Sequence, residues 1–352
     1  MDSNTEHEKY MRRCLELAGK GIGRTGLNPM VGSVIVHNGR IIGEGFHREF
    51  GGPHAEVNAI NSVKDQALLQ NSTIYVSLEP CSHFGKTPPC SLLIREKKIP
   101  RVVIAMMDPH PEVSGKGKTL LQEAGIEVIS GVLEEEAKFL NRRFLVNQNL
   151  KRPYVILKWA QSRDGFIDKL RKPGDPLEPN WITNQSSRML VHKWRAEESG
   201  IIAGVNTVLT DNPALNVRDW SGKCPVRIVI DRKNRIPENF KIKDDTEKTW
   251  IFTAGKNKGE GINTKYFNLN DNYSLEYFLK RLLEMGISSL IVEGGQFLTN
   301  HFISNVLWDE ARVFTGQLKF KKGVPAPKIE KKDHFFDVFR NNELQIKVKS
   351  IT

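Results

Sequence analysis

The sequence predicts an α/β protein built from two consecutive domains. Its 352 residues exceed the size at which a single hydrophobic core usually keeps growing. Apolar strand-like runs alternate with helix-like runs, and the alternation stops at a polar segment ending in Pro153 and then restarts. We therefore expect a first domain over residues 1–147, a linker over 148–153 and a second domain over 154–352.

The first domain is predicted to be a mixed sheet flanked by helices. The Asn38-Gly39 pair between two apolar runs indicates a β-hairpin, because both residue types accept the positive φ angles of a tight turn. A run with acidic residues early and basic residues late, 133–146, is typical of a helix. The predicted strands are 32–36, 40–46, 73–78, 101–106 and 127–130, and a further helix is predicted over 55–63.

The second domain is predicted to be another α/β unit, beginning with an apolar strand at 154–157. Its other strands are predicted at 200–203, 226–230, 250–253 and 289–292, and its helices at 185–196, 274–285 and 297–303. Gly294 and Gly295 lie between the last of these strands and a helix, where backbone N–H groups can bind an anion such as a cofactor pyrophosphate. An ordinary tight turn gives the same pattern. No Gly-x-Gly-x-x-Gly follows a strand, which argues against a Rossmann domain.

Composition and charge favour a cytoplasmic enzyme. Residues 1–20 carry charges throughout, and no apolar run approaches the roughly 20 residues of a membrane span, so we expect no membrane association. The formal net charge of +11 attracts anions, either phosphorylated metabolites or nucleic acid, although the basic residues are mostly scattered as on a solvated surface. Of the four cysteines, Cys14 and Cys224 are expected to be free thiols.

A zinc-dependent deaminase is indicated by His54, Glu56, Cys81 and Cys90. Such enzymes hold Zn²⁺ with one His and two Cys and leave the fourth position to a water that the metal acidifies. Glu56 can then act as base and as acid in turn. The eight-residue spacer between the two cysteines departs from the general Cys-x-x-Cys signature, and two unrelated thiols are a common cause of such a pair. The helix predicted after His54 and the strand predicted before Cys81 favour the metal.

The first domain resembles the deaminase half of the bifunctional riboflavin biosynthesis proteins, a cytidine-deaminase-like fold. The resemblance is carried by Asn28-Pro29-x-Val31-Gly32, Pro53-His54-Ala55-Glu56 and the run from Leu78-Glu79-Pro80-Cys81 to Pro88-Pro89-Cys90. The long spacer between the cysteines is the form expected in this family. The resemblance implies substrate contacts for Asn28, His47 and Lys86, with Lys86 at the substrate phosphate; a turn or a solvated side chain is the alternative for each.

The second domain resembles the reductase half of the same family, which is similar in fold to dihydrofolate reductase. The motifs are Lys158-x-Ala160-x-Ser162-x-Asp164-Gly165, Trp181-Ile182-Thr183, Asp211-Asn212-Pro213-x-Leu215 and Val292-Glu293-Gly294-Gly295. The residues implied to contact NADPH are Ala160, Trp181, Thr207, Asp211, Gly294, Gly295 and Gln296. Those implied to contact the substrate are Arg195, Leu215, Arg218 and Glu293. Two arginines suit a ribose phosphate, because a guanidinium pairs with phosphate oxygens through two N–H groups.

Two further positions in the second domain concern ligand binding. Where the family usually has a substrate-binding Ser, this chain has Pro179, which offers neither a hydroxyl nor a backbone N–H. Arg232 follows a predicted strand and is a candidate for the 2′-phosphate of NADPH, although a solvated turn residue fits equally well.

The resemblance implies a bifunctional enzyme that contains Zn²⁺ and uses NADPH. It would deaminate 2,5-diamino-6-ribosylamino-4(3H)-pyrimidinone 5′-phosphate and then reduce the ribosyl side chain to give 5-amino-6-(5-phosphoribitylamino)uracil. A homo-oligomer of unspecified size is expected, and no nucleic-acid partner. The alternatives are a nucleic-acid or nucleoside deaminase with a nucleotide-binding second domain, and a zinc-stabilised binding module. Glu56 argues against the binding module, because a structural zinc site normally has four protein ligands and needs no such carboxylate.

Overall fold

The computed structural model divides the chain into two compact units, Met1–Lys151 and Arg152–Ser350. It describes residues 3–84, 88–110, 113–172, 174–177, 180–254, 261–269, 273–329, 335–340 and 343–349. Within these residues, none of the helices combines the length and the apolar character needed to cross a bilayer.

The first unit is a five-stranded mixed sheet flanked by helices. Its elements are α1 (Ser3–Gly19), β1 (Gly32–His37), β2 (Arg40–Phe46), α2 (Ala55–Ser62), β3 (Thr73–Leu78), α3 (Cys90–Glu96), β4 (Arg101–Met106), α4 (Lys116–Glu123), β5 (Glu127–Ser130), α5 (Glu134–Leu140) and α6 (Arg142–Leu150). The strand order is β2-β1-β3-β4-β5. Strand β1 is antiparallel to both β2 and β3, whereas β3, β4 and β5 are parallel. The predicted hairpin and all five predicted strands of this domain are confirmed.

Helix α2 packs directly on strand β2, and glycine makes this close approach possible. A Cβ atom placed on Gly45 would lie 2.3 Å from the backbone nitrogen of Ala59 in α2, a distance that real Cβ atoms do not reach. Ala59 and Ile60 are fully buried beneath the sheet. The start of α2 is therefore fixed relative to the sheet, which matters because His54 immediately precedes this helix.

The single helix predicted over 133–146 is wrong, because the structure breaks it at Asn141 into α5 and α6. The Asn141 side chain is buried and binds the backbone of Met30 through both of its ends, at 2.8 and 3.0 Å. The predicted linker at 148–153 also differs, since α6 continues to Leu150 and ends where Lys151 adopts a positive φ of 51°. A proline disfavours helix at the residue before it, so Pro153 explains why the helix does not continue through Arg152 and strand β6 begins at Tyr154.

The second unit is built on a nine-stranded sheet. Its elements are β6 (Tyr154–Gln161), β7 (Phe166–Asp168), α7 (Gln185–Glu197), β8 (Gly200–Gly204), α8 (Val205–Asp211), β9 (Val226–Ile230), β10 (Thr249–Thr253), β11 (Thr264–Asn268), α9 (Leu275–Glu284), β12 (Ser289–Val292), α10 (Gln296–Ser304), β13 (Glu310–Thr315), β14 (Val324–Pro325), β15 (Phe335–Arg340) and β16 (Leu344–Lys349). The strand order is β11-β10-β9-β8-β12-β6-β13-β16-β15, and β7 pairs separately with β14.

Parallel pairing brings the chemistry of this unit to one edge of its sheet. Among the described strands of this sheet, β11, β10, β9, β8, β12, β6 and β13 run parallel to one another, and β16 and β15 are antiparallel additions. The carboxyl ends of β6, β8 and β12 therefore lie side by side, and in such sheets ligands bind at that edge. Ala160, Gly204 and Glu293 lie at these ends.

Candidate active sites

Three metal-binding side chains converge in the first unit. His54 is the residue that precedes α2, Cys90 is the first residue of α3, and Cys81 follows strand β3 after a two-residue connection. Their ligand atoms all lie within 4.8 Å of one another. Of the His, Cys, Asp and Glu side chains that the structure describes, these three form the cluster close enough to share a metal ion.

The geometry of the three ligands fits Zn²⁺. The His54 Nδ1 atom lies 3.3 Å from Cys90 Sγ and 3.6 Å from Cys81 Sγ. For tetrahedral zinc with usual bond lengths, a nitrogen and a sulfur ligand are about 3.6 Å apart. One nitrogen and two sulfurs also form a donor set that zinc prefers. Three protein ligands leave one position open, as in catalytic rather than structural zinc sites.

The surroundings of Cys81 favour its thiolate form, which is the form that binds a metal. The Cys90 thiol, the His54 ring and the Cys90 backbone N–H group face the Cys81 sulfur and lower its pKa to about 4. The Cys90 N–H group donates to this sulfur at 3.2 Å. A charge-stabilising donor is thus in place before any metal binds.

Glu56 lies in the first turn of α2 with only 4% of its surface exposed. Burial, together with the nearby Cys81 thiolate, raises the pKa of its carboxyl group to about 7. A carboxyl group that titrates near neutral pH can both accept and return a proton under working conditions. The position of Glu56 two residues after His54 therefore places a proton carrier beside the metal ligands.

His47 and Asn28 form a second layer of this site. The His47 Nδ1 atom is 3.1 Å from the Pro53 carbonyl oxygen and Nε2 is 3.1 Å from the Asn28 amide nitrogen. The ring therefore donates to Pro53 and accepts from Asn28, and the burial that lowers the His47 pKa keeps it neutral. The imidazole rings of His47 and His54 meet edge to face at 6.0 Å. The structure thus brings two of the three predicted substrate residues, His47 and Asn28, to the metal site, whereas the third, Lys86, is outside the described residues.

Glu79 was quoted in the motif around Cys81, but the sequence interpretation assigned it no role. Its buried carboxylate accepts the backbone N–H groups of Asp108, Gly115 and Lys118 at 3.0 to 3.2 Å. The start of α4 is drawn so close that a Cβ atom on Gly117 would lie 2.0 Å from the Pro80 carbonyl oxygen. This packing fixes the backbone just before Cys81. The available signal was an acidic residue at the end of a buried strand.

In the second unit, a buried charge cluster lies at the carboxyl edge of the sheet. Glu293 receives two N–H groups from Arg195 at 2.8 Å each and contacts the Lys158 ammonium at 3.4 Å. Although burial alone would raise it, the Arg195 and Lys158 charges lower the Glu293 pKa to about 2. Two cations facing one anion leave a net positive site, which suits an anionic substrate. Lys158, which lies two residues before Ala160 on β6, was quoted in the motif but not assigned a role.

Leu215 and Arg218 belong to an irregular segment between α8 and β9. Leu215 is buried and has a φ of +50°, a conformation that is costly for a branched side chain. The Arg218 side chain is 48% exposed. Arg195 connects this segment to the charge cluster, because its guanidinium also donates to the Asn216 carbonyl oxygen at 3.0 Å.

The predicted cofactor turn joins β12 to α10. The Gly295 N–H group donates to the Thr207 hydroxyl at 2.8 Å, which brings together two residues 88 positions apart. A Cβ atom on Gly294 would lie 2.7 Å from the Leu298 side chain. Gly295 has no side chain with which to cap α10, so the first-turn N–H groups at Gln296 remain available to an anion such as a pyrophosphate.

The other predicted cofactor residues are more dispersed. Asp211 ends α8 and is paired with Arg171 at 3.0 Å, and its burial raises its pKa to about 6. Trp181 is 56% exposed, with the Arg188 guanidinium 4.7 Å from its ring centre. Arg232 is exposed and follows β9, whose parallel neighbour β8 ends at Gly204. Pro179 is outside the described residues.

These features define a protein that joins a zinc deaminase fold to a nucleotide-cofactor reductase fold. Two family models match the chain in that order. The cytidine and deoxycytidylate deaminase zinc-binding region matches residues 4–106, and the RibD C-terminal domain matches residues 153–317.

The chain is similar to riboflavin biosynthesis proteins RibD along most of its length. It is 41% identical to the RibD of Aquifex aeolicus over 312 residues, which cover 87% of this chain and 86% of the relative. It is 37% identical to the RibD of Escherichia coli over 327 residues, which cover 88% of this chain and 87% of the relative. A crystal structure of a diaminohydroxyphosphoribosylaminopyrimidine deaminase/5-amino-6-(5-phosphoribosylamino)uracil reductase from Thermotoga maritima matches with a TM-score of 0.88, 39% identity and 99% coverage of both chains. Acinetobacter baumannii RibD matches with a TM-score of 0.85 and 30% identity, covering 99% of this chain and all of that one. The chain belongs to the RibD family.

Proposed function

We propose that this protein catalyses two steps of riboflavin synthesis, one in each unit. The first is hydrolytic deamination of 2,5-diamino-6-ribosylamino-4(3H)-pyrimidinone 5′-phosphate. The second is NADPH-dependent reduction of the deaminated product to 5-amino-6-(5-phosphoribitylamino)uracil. The observation that carries the proposal is the convergence of His54, Cys81 and Cys90 beside the buried Glu56, in a chain of the RibD family.

Glu56 is the proton carrier of the deamination. Zn²⁺ held by His54, Cys81 and Cys90 would lower the pKa of a water, so that near neutral pH this water can lose a proton and attack a ring carbon. The Glu56 carboxylate takes one proton from the attacking water and delivers it to the ring nitrogen. It then carries the second proton, from the newly added hydroxyl group, to the amine, which leaves as ammonia; a pKa near 7 is suitable for both transfers. His47 and Asn28 hold each other beside the metal ligands and present the Asn28 side chain to the pyrimidine.

The charge cluster and the glycine turn serve the reduction. When bound, NADPH supplies the hydride that reduces C1′ of the ribose. The helix start after Gly295 would hold the cofactor pyrophosphate, while Arg195 and Arg218 bind the sugar phosphate. Glu293 is anionic and can only accept, so it contacts hydroxyl groups of the substrate rather than the phosphate. Arg195 and Lys158 keep Glu293 ionised, so the cluster presents fixed charges to the substrate.

The nucleic-acid deaminase is not favoured, because the family relationship extends over both halves of the chain. We propose a cytoplasmic location and a homo-oligomeric state as further expectations.

Separate assays of the two products test the proposal. The purified protein is incubated with the diaminopyrimidine phosphate, with and without NADPH, while ammonia release and NADPH absorbance are followed. We expect ammonia in both reactions and NADPH oxidation only in the second. NADPH oxidation without ammonia release would refute the order of the steps, and neither signal would refute the function.

A further inference from the structure

The segment that carries Arg218 is held by side chains rather than by a strand ladder. The Asn216 carbonyl oxygen accepts from Arg195 at 3.0 Å, and the Val217 N–H group donates to the Cys224 sulfur at 3.2 Å. These anchors come from helix α7 and from the chain just before β9. A loop that must present a side chain reproducibly needs such anchors, because an unanchored loop would lose conformational entropy on binding.

The third anchor is His192, which is buried on α7 one turn before Arg195. The Arg218 backbone N–H group donates to His192 Nδ1 at 3.4 Å. Because a backbone N–H can only donate, Nδ1 is the unprotonated ring nitrogen and the proton is on Nε2. Nε2 lies 3.2 Å from the Asp219 carboxylate, to which it donates. Both ring nitrogens are therefore used, each by a residue of the same loop.

This arrangement requires a neutral imidazole, and the environment provides one. Burial, assisted by the positive charges of Arg195 and Arg218, lowers the His192 pKa to about 4. A protonated ring would direct an N–H group at the Arg218 N–H and break the anchor. The neutral form that the hydrogen bonds require is thus the form that the surrounding charges favour.

Asp219 extends the effect of His192 to the Arg218 side chain. The Asp219 carboxylate that His192 holds lies 3.8 Å from Arg218 Nε, and the Asn216 side-chain oxygen lies 3.4 Å from Arg218 Nη1. His192 therefore restrains both the backbone of Arg218 and the carboxylate beside its guanidinium. The guanidinium itself stays half-exposed and turned to solvent, where it can receive an anion.

We propose that His192 is a positioning residue of the reductase, which fixes Arg218 so that its guanidinium binds the phosphate of the substrate. The proposal rests on the proposed function, because it takes Arg218 as a phosphate ligand. His192 does not touch the reacting atoms. Its effect is on phosphate binding, and it acts through Arg218.

The test is steady-state reduction of 5-amino-6-(5-phosphoribosylamino)uracil by the full chain. His192→Phe keeps a ring of similar size and removes both hydrogen bonds. In His192→Phe we expect the KM for the phosphorylated substrate to rise about tenfold. The kcat of reduction, the KM for NADPH and the rate of deamination should each change less than about twofold. The inhibition constant of inorganic phosphate should rise in parallel. Lys193→Ala, at the next position of α7 where the side chain is 40% exposed, is the control and should leave all of these unchanged.

A double-mutant cycle with Arg218→Ala separates positioning from a merely structural role. If His192 acts through Arg218, adding His192→Phe to Arg218→Ala raises the substrate KM by less than about twofold further. Effects that multiply would overturn the proposal, and so would an unchanged KM in Arg218→Ala. If His192→Phe does not fold, His192→Asn takes its place in the same cycle. The Asn side chain retains an acceptor near the position of Nδ1, so the KM of this variant is expected between those of the wild type and Arg218→Ala. Failure of the unmutated protein to reduce this substrate would instead refute the proposed function.

Discussion

Replacing Glu56 by Gln should make the metal-free first unit more stable at alkaline pH while removing its deaminase activity. Burial raises the Glu56 pKa from its usual value of 4.5 to about 7 in the folded chain. Below pH 4.5 the carboxyl group is neutral in both folded and unfolded chains, so its stabilising effect is fully present. As the pH rises through 7 that effect is lost. The pKa difference means that the wild type loses about 3 kcal/mol of unfolding free energy between low and high pH. The amide of Gln does not ionise, so the variant does not lose this stability.

The two units can be followed separately, because all six tryptophans lie after Lys151. Indole fluorescence therefore reports only the second unit. The unfolding free energy of the first unit is measured from the slowest-exchanging amides of β3 by hydrogen exchange of the chelated full-length protein. At pH 8 we expect Glu56→Gln to exceed the wild type by up to about 3 kcal/mol, and at pH 4 to equal it. Fluorescence-detected unfolding should be the same for both proteins.

The matched control is Glu123→Gln, which makes the same chemical change on an exposed position of α4. It should leave the exchange rates unchanged at both pH values, since surface changes usually stay within about 0.5 kcal/mol. Equal stability of Glu56→Gln and wild type at pH 8 would refute the argument that burial opposes ionisation at this site. Ammonia release should fall by about 10²-fold or more in Glu56→Gln.

Three further results are expected. Cys81→Ser and Cys90→Ser should each lose the single zinc per chain in metal analysis, and undiminished zinc in both would contradict the ligand assignment. Glu56→Gln should still oxidise NADPH when given the deaminated intermediate. Arg218→Ala should deaminate normally, but its reductase kcat/KM should fall by an amount equivalent to about 1.5–3 kcal/mol, the range for a hydrogen bond to a charged group. Loss of both activities by either substitution in a folded protein would refute separate sites. Thr207→Val removes the acceptor of the Gly295 N–H group. The KM for NADPH should rise about fivefold, equivalent to about 1 kcal/mol of binding free energy, with deamination unaffected. An unchanged KM would argue against cofactor binding at this turn.

Local sequence signals were sufficient for elements whose pattern is local. The strands at 127–130 and 226–230 begin and end where the apolar runs predicted. The break at Asn141 had no such signal, because its cause is the backbone of Met30, 111 residues away in sequence. The helical continuation to Leu150 has no local apolar signal, because residues 147–149 are all polar. Its support comes from packing, since Leu145, Val146 and Asn147 are buried.

The metal ligands could also be predicted from the sequence. A metal demands particular ligand types, so His54, Cys81 and Cys90 could be identified before their distances were known. Residues that act through others have no such requirement: Glu79 and His192 are ordinary buried polar residues until their hydrogen bonds are seen. For His192 the available signal was its spacing of three from Arg195, which places both on one face of a helix.

The ion pair at the start of the second unit limits where this chain can be divided into two independent enzymes. Arg152 and Asp309 are both buried, with guanidinium to carboxylate distances of 2.5 and 2.7 Å, and Asp309 also accepts the Val155 N–H group. A reductase that began at Pro153 would leave the Asp309 carboxylate buried without its cation, which typically costs about 3–5 kcal/mol. A separately expressed reductase must therefore start at or before Arg152. Because α6 of the deaminase ends at Leu150, only Lys151 separates the two elements, and the gene has almost no spare sequence at which to split.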